Sequence, residues 1–410
     1  MNPLPMVIAD LRAMRGAALL SILLIALAVA IGVAIGAQER ALRSASARAA
    51  DDFPLLIGAP ASATQLVLTS VYLQPEALTL MDGALLPKLA SDPRVEAVAP
   101  IAFGDVVLGY PVVGTTAEFV TRWGRRQLVE GRNFAAEGEA VVGAEVKLAI
   151  GQSITPSHGV AGQHRHFGLE DEEEHAHRHE GVRYTVVGRL PHLGSPWDRA
   201  ILIPVESVWE THGLGNGHRD ESHIGAPFEA EHLPGVPALV VKPKQVFQAY
   251  QLRSDTRKAG LLAVFPAEIL VSLYQTVGDI RDVLVVASGL NNVLVFLAIL
   301  MLLVTLVSLR RRRYAILRAL GASRTYVALV VWLGAAVLLS LGAFAGLAAG
   351  FIGAHAVAML VAAETGLTLT ISIGAGEVAL VGLMALFGSL LALIPAAIAW
   401  RRPVAESLRS

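Results

Sequence analysis

Four consecutive arginines, Arg310, Arg311, Arg312 and Arg313, sit between two long apolar runs. No other feature constrains the fold as much. Each arginine would cost about 2.5–3.5 kcal/mol at the centre of a bilayer. The apolar run before them must therefore end here, and the stretch lies in water or among headgroups. Arginine beside a membrane span marks the cytoplasmic side. Tyr314 to Leu320 follows, rich in helix formers, and Gly321 suits a helix C-terminus. Ile316, Ala319 and Leu320 fall on one face, Arg313 and Arg324 elsewhere. A helix too short to span, wedged between two spans, suits docking to a partner protein. It equally suits a surface helix held by anionic lipid, with arginines that only set topology. Spacing alone leaves both readings open.

The 410-residue chain is 54% hydrophobic, yet 16% of its residues are charged. That combination predicts a few membrane spans plus a sizeable water-soluble domain. A net charge of −1 gives no reason to expect nucleic acid as a partner. There is no cysteine, which removes disulfides, thiolate metal sites and cysteine nucleophiles.

Residues 1–15 read as a cytoplasmic amino terminus with Arg12 and Arg15. Residues 16–37 form an uncharged apolar run of about 22 residues, enough for a hydrocarbon core of about 30 Å. It exceeds the apolar stretch of a signal peptide and lacks a clean cleavage site immediately after it. Residues 38–284 read as a helical stalk followed by a mixed α/β domain. Short β-rich runs are expected at 65–72, 97–102, 105–113, 139–142, 184–190, 200–205 and 238–242, with helices at 85–91 and 243–257. Residues 261–284 read as a helix leading back to the membrane. Further spans fall at 285–309, 326–361 and 377–400. They are joined by the coupling stretch 310–325 and an extracytoplasmic loop at 362–376, and 401–410 forms a tail. The arginine clusters at Arg12/Arg15, 310–324 and Arg401/Arg402/Arg409 then share the cytoplasmic face. The expected fold class is an α+β membrane protein. Four transmembrane helices carry a large extracytoplasmic α/β domain inserted between the first and second.

The string Ala315-Ile316-Leu317-Arg318-Ala319-Leu320-Gly321-Ala322-Ser323, after its arginines, resembles the cytoplasmic coupling segment of the FtsX-like permeases. That family includes MacB-type transporters and lipoprotein-releasing permeases. Its members usually carry a glutamate where this chain has Arg313. The order of one span, a large outer domain and three spans is also that of the family. Leu56-Ile57-Gly58-Ala59, 65–72, 130–134, 155–159 and 198–201 resemble the outer domain of a bacterial subgroup. The resemblance implies an ABC transporter permease subunit in a bacterial inner membrane. Its partners would be a dimer of ABC ATPase subunits and a second permease copy, identical or paralogous. A periplasmic adaptor or binding protein is compatible with it. Arg313, Tyr314, Leu317, Arg318, Leu320 and Gly321 are the implied ATPase contacts. ATP-driven closure of the ATPases would pull on this segment and move the outer domains, by mechanotransmission rather than through a pore.

Other motifs bear on chemistry. No G-x-x-x-x-G-K-[ST] string occurs, so ATP would act through a partner subunit and no enzyme activity is expected of this chain. No span carries a charged residue near its middle, which argues against an ion-coupled carrier. Gly342, Gly346 and Gly350 line one face of the third span and allow close helix packing, within the chain or in a dimer. Pro395 predicts a kink in the fourth. Eleven of the twelve histidines lie between residues 158 and 232. In the loop 158–180, His164, His166, His175, His177 and His179 flank an acidic run. Alternating histidines suit zinc or another transition metal, loosely held, with no firmly bound cofactor. A solvated insertion without a specific role is the competing reading. Neither H-E-x-x-H nor G-x-S-x-G occurs. A second functional reading is a membrane-anchored metal-binding sensor or receptor with no motor. It accounts for the histidines but not for three further spans.

Overall fold

The computed structural model describes residues 2–158, 182–220, 222–274 and 311–401, with isolated positions between 293 and 305. Most of the histidine-rich loop and nearly all of the expected second span, 285–309, lie outside the described residues. The chain divides into two compact units. One comprises Met1–Leu42, Val277–Met359 and Thr370–Ser410, the other Arg43–Thr276 and Leu360–Leu369.

The second unit is the mixed α/β domain. Its strands are β1 (Leu55–Gly58), β2 (Val95–Val107), β3 (Tyr110–Thr115), β4 (Glu130–Gly131), β5 (Glu139–Val142), β6 (Ser153–Ile154), β7 (Ser157–His158), β8 (Tyr184–Arg189), β9 (Ile201–Pro204), β10 (Ala238–Pro243) and β11 (Leu262–Val264). They run in the order β11-β1-β10-β2-β3-β9-β5-β8-β4, with β6 on β8 and β7 on β2. Most neighbours are antiparallel, but β3 pairs with β9, and β5 with β8, in parallel. Leu55, Ile57, Leu239, Val241, Ile201 and Ile203 alternate onto one apolar layer and join a single core.

Three stretches differ from the sequence expectation. Residues 65–72 form a helix, not a strand. The Ser62 hydroxyl accepts the Gln65 N–H and starts it, and Leu73 in the left-handed region ends it. Residues 105–113 are not one strand either. Leu108 and Gly109, at φ +50° and +80°, form the turn between β2 and β3. The expected helix at 261–284 begins with β11, an edge strand, and is helical from 266 to 274.

The helices in chain order are α1 (Leu4–Ala13), α2 (Arg15–Ala50), α3 (Ala63–Tyr72), α4 (Leu85–Ala90), α5 (Ala117–Val120), α6 (Val205–Thr211), α7 (Val246–Lys258), α8 (266–274), α9 (Arg311–Ala319), α10 (Arg324–Thr365), α11 (Ala375–Leu391) and α12 (Leu393–Arg401). Among the described residues, three stretches are long and apolar enough to cross a membrane: α2, α10 and Ala375–Ile398. The last is broken at Ala392 between α11 and α12. Pro395 has no N–H for the carbonyl of Leu391, which explains a break at this turn.

In the first unit, α10 lies against α2 through its glycines. A Cβ on Gly342 would sit 2.6 Å from the Cβ of Ile25, one on Gly346 2.6 Å from the carbonyl oxygen of Ala26, and one on Gly350 2.7 Å from that of Ala30. The glycine stripe is therefore filled by α2 of the same chain. At the far end of α2, Arg40 forms an ion pair with Glu377, whose carboxylate also accepts the Gly374 N–H at the start of α11. Gly36 leaves room for that carboxylate, because a Cβ there would stand 2.8 Å from its Oε1.

Candidate coupling site

The short helix α9 takes in Arg311, Arg312 and Arg313, and its C-terminal end is fixed. Ala322 N–H bonds to the carbonyl of Leu317 and Gly321 N–H to that of Arg318, at 3.0 and 3.1 Å. With Gly321 at φ +101°, this is a Schellman ending, which a side chain at that position would strain. Ser323 then accepts the Tyr326 N–H at 3.1 Å and caps α10. Only a tight link separates the two helices, so α9 has little freedom to swing about α10.

One face of α9 is packed. Tyr314 is buried with Val327, Val331 and Ala396, and Leu317 packs against the same cluster; Ala315 is buried as well. The Tyr314 hydroxyl lies 3.4 Å from the carboxylate of Asp10, to which it donates. The other face is open. Arg313 is exposed, Ile316 is 46% exposed and Leu320 is 80% exposed. Spaced three and four residues apart, they form one stripe, so Arg313 shares the face of Ile316 and Leu320 rather than lying elsewhere as expected.

Of the residues expected to meet an ATPase, Arg313 and Leu320 face outward and Arg318 is half-buried. Tyr314 and Leu317 are turned toward the packed face, and Gly321 shapes the end. Ile316 completes the open stripe. The sequence placed it on that face without including it among the contacts, although an i, i+4 pair with Leu320 was the signal to follow. An open leucine and isoleucine on a fixed helix are what a partner's apolar groove recognises. Each contributes roughly 1.5–3 kcal/mol when fully buried.

The metal-binding expectation at His164, His166, His175, His177 and His179 lies outside the described residues. Elsewhere in the outer unit, Glu145, His192 and Asp198 bring potential ligand atoms within 4.8 Å of one another. Their bonds point to a different role. Asp198 is fully buried and accepts three backbone N–H groups, from Leu193 at 2.7 Å, Gly194 at 2.7 Å and Ser195 at 3.3 Å. Burial pushes its carboxyl above the ordinary range, against those N–H groups and His192. His192 Nδ1 accepts the Gly194 N–H at 3.1 Å. The cluster holds a turn, and the short 3-10 helix Pro196–Arg199 follows it.

A chain with one large outer α/β unit, glycine-packed apolar helices and a fixed amphipathic helix beside an arginine run has the parts of a membrane permease. Two family models match it: the MacB-like periplasmic core domain over residues 17–253 and the FtsX-like permease C-terminal domain over residues 285–408. The first alone spans more than half of the chain, which therefore belongs to the FtsX/MacB-like family of ABC transporter permeases. Among solved structures, the extracellular domain of the ABC-type transporter YknZ from Gram-positive bacteria is similar. It is 11% identical at a TM-score of 0.29, covering 54% of this chain and 94% of that one. That global similarity is too weak to define shared geometry. No curated protein matches the chain. Members of this family are membrane proteins with an extracellular domain, and they work with an ATPase partner.

Proposed function

We propose that the chain is the permease subunit of an ABC transporter of the bacterial inner membrane. It has four spans, both termini in the cytoplasm, and its outer domain in the periplasm. ATP is hydrolysed by a separate ATPase dimer, and the work is delivered to the periplasmic side by movement of the outer domain. Two permease copies, identical or paralogous, face the two ATPases. The observation that carries this reading is the stripe of Arg313, Ile316 and Leu320 on α9. It is open on one side and locked on the other by Tyr314, Ala315 and Leu317. A helix that is held rigidly and presents an apolar stripe can transmit a push, whereas a loose one would absorb it.

Leu320→Asp should weaken ATPase binding roughly 10–100-fold, about 1.4–2.8 kcal/mol. The outer domain should stay folded, because Leu320 touches none of the packed face. Affinity equal to the wild type, measured with the purified ATPase and permease in nanodiscs, would overturn the assignment of α9.

The histidine-rich stretch supports a narrower reading, in which the permease serves metal homeostasis and loosely held zinc at His164, His166, His175, His177 and His179 reports metal supply. Deletion of residues 162–180 should alter zinc tolerance or zinc-limited growth while ATPase binding persists. Unchanged growth under both conditions would remove the metal link and leave the motor assignment intact.

A further inference from the structure

Leu360–Leu369 comprises the last six residues of α10 and the four residues that follow it, yet it belongs to the outer unit. The contacts that place it there are specific. Thr368 N–H bonds to the Gly194 carbonyl at 3.4 Å, and Arg48 donates to the Thr368 carbonyl at 3.3 Å. The Thr368 hydroxyl lies 3.3 Å from His192 Nε2. Arg199 donates to the carbonyl of Ala363. Leu367 and Leu369 are buried.

Gly366 has φ +71°, and a Cβ there would stand 3.2 Å from Pro196 and 3.3 Å from Arg199. Any side chain would be strained and would press on the 3-10 helix beneath it. The receiving surface is stiff. The buried Asp198 ties down residues 193–195, as described above. Trp197 is fully buried against Phe53 and Phe119, with both ring pairs at 5.6 Å. Arg122 lies over the Trp197 ring at 4.5 Å.

The chain passes between the two units at Leu42/Arg43, Thr276/Val277, Met359/Leu360 and Leu369/Thr370. Arg48, close behind the first crossing, bonds directly to the strap that joins the last two. Arg48 and the strap residues Ala363 and Thr368 therefore meet His192, Gly194 and Arg199 at one patch of the outer unit.

We infer that Leu360–Leu369 is a permanent strap, docked throughout the working cycle. Through it, displacement of the outer domain is shared among the first, third and fourth membrane segments. His192, Gly194 and Arg199 act as its positioning residues. The transmission part rests on the motor reading above, but the docking part does not. A strap gripped through backbone atoms at Ala363 and Thr368 is held independently of their side-chain identity, as a structural tie requires. Leu367 and Leu369 are buried beside those bonds, which themselves lie near the surface.

The cysteine-free chain offers a direct test. A Cβ on Gly194 would lie 3.6 Å from the Thr368 Cβ, within the separation of about 3.5–4.5 Å that a disulfide spans. The double variant Gly194→Cys/Thr368→Cys, in nanodiscs with the ATPase, should form an intramolecular disulfide on mild oxidation. It should form equally with and without a non-hydrolysable ATP analogue. Absence of the bond in both states, or its formation in one state only, would overturn a permanent strap.

Hydrogen exchange gives a second readout in the unaltered chain, in case Gly194→Cys fails to fold. The Thr368 amide should exchange slowly in the wild type and roughly 100-fold faster in Gly366→Leu. Equal rates would overturn docking. If docking holds, Gly366→Leu should lower the function supported per ATP hydrolysed without changing ATPase affinity. Unchanged coupling would overturn the transmission role. A wild-type permease that binds no ATPase would instead overturn the motor reading, with the docking result standing.

Discussion

The two units differ most in what they leave exposed. The outer unit hides Leu55, Ile57, Ile101, Trp197, Ile201 and Leu202, with a few buried polar groups such as Arg122, Asp198 and Glu206 among them. The membrane unit hides Gly342, Gly346, Gly350, Ala335 and Ala343 beside Val29, Leu338 and Leu339, and turns Leu23, Leu27, Phe344, Ile352 and Met359 outward. Water drives large apolar groups inward, whereas lipid gives them no such push. Helices in lipid gain from close approach, and small residues permit it. The outward apolar residues therefore carry different meanings in different places. Around α10 they face hydrocarbon, while on α9, beside four arginines, Ile316 and Leu320 need another cover.

Paired truncations would break this contrast most sharply. Leu202→Ala, in the outer core, should cost about 2–5 kcal/mol. Phe344→Ala, 68% exposed on α10, should cost less than about 1 kcal/mol in nanodiscs despite removing a larger side chain. Thermal unfolding of both variants checks it. Equal losses would mean that Phe344 packs against protein, and the two-solvent account would fail for α10.

A smaller effect sharpens the outer side of the comparison. Glu206 is 1% exposed, accepts the Gly225 N–H at 2.7 Å and lies 3.4 Å from His218. Burial lifts its carboxyl from the ordinary 4.5 to about 7, although the Gly225 N–H opposes the shift. Burial pushes His218 the other way, below its usual value. Both changes favour the neutral forms. Between about pH 4.5 and 7 the unfolded chain has lost the glutamate proton and the folded chain has kept it. The stabilisation from this group is complete below the unfolded value and is lost as pH rises through the folded one. Glu206→Gln should therefore be more stable than the wild type at pH 8 by about 1–3 kcal/mol. The gap should close near pH 4.5. Melting curves across that range check it, and a constant gap would show that Glu206 does not titrate as its burial implies.

Much of this was legible in the sequence because it rests on local pattern. Uninterrupted apolar length located α2, α10 and α11. Alternation located β5, β8, β9 and β10 to within a residue or two. Two of the misread stretches, 65–72 and 105–113, show where local pattern competes with itself. Leu66, Val67, Val71 and Tyr72 favour a strand by composition, yet a serine cap outside the run made it helical. Leu108 in the left-handed region gave no local warning, because leucine rarely adopts that conformation.

Helix α9 was half legible. Its helicity, its end at Gly321 and its apolar face follow from residues within one or two turns. The inward turn of Tyr314 depends on Val327, Val331 and Ala396, the last more than eighty positions away. The strap was not legible at all. Thr368 and Gly194 are joined through backbone groups that every residue possesses, so their side chains carry no trace of the bond.

The central claim is that α9 is where a separate ATPase engages the permease. Its most direct test is purification of the tagged chain from native membranes in mild detergent. The experiment is run with and without a non-hydrolysable ATP analogue and read by mass spectrometry. The account predicts that an ABC ATPase co-purifies with the wild type and is lost with Leu320→Asp. A permease that retains no ATPase even after crosslinking, or one that retains it equally with Leu320→Asp, would contradict the account.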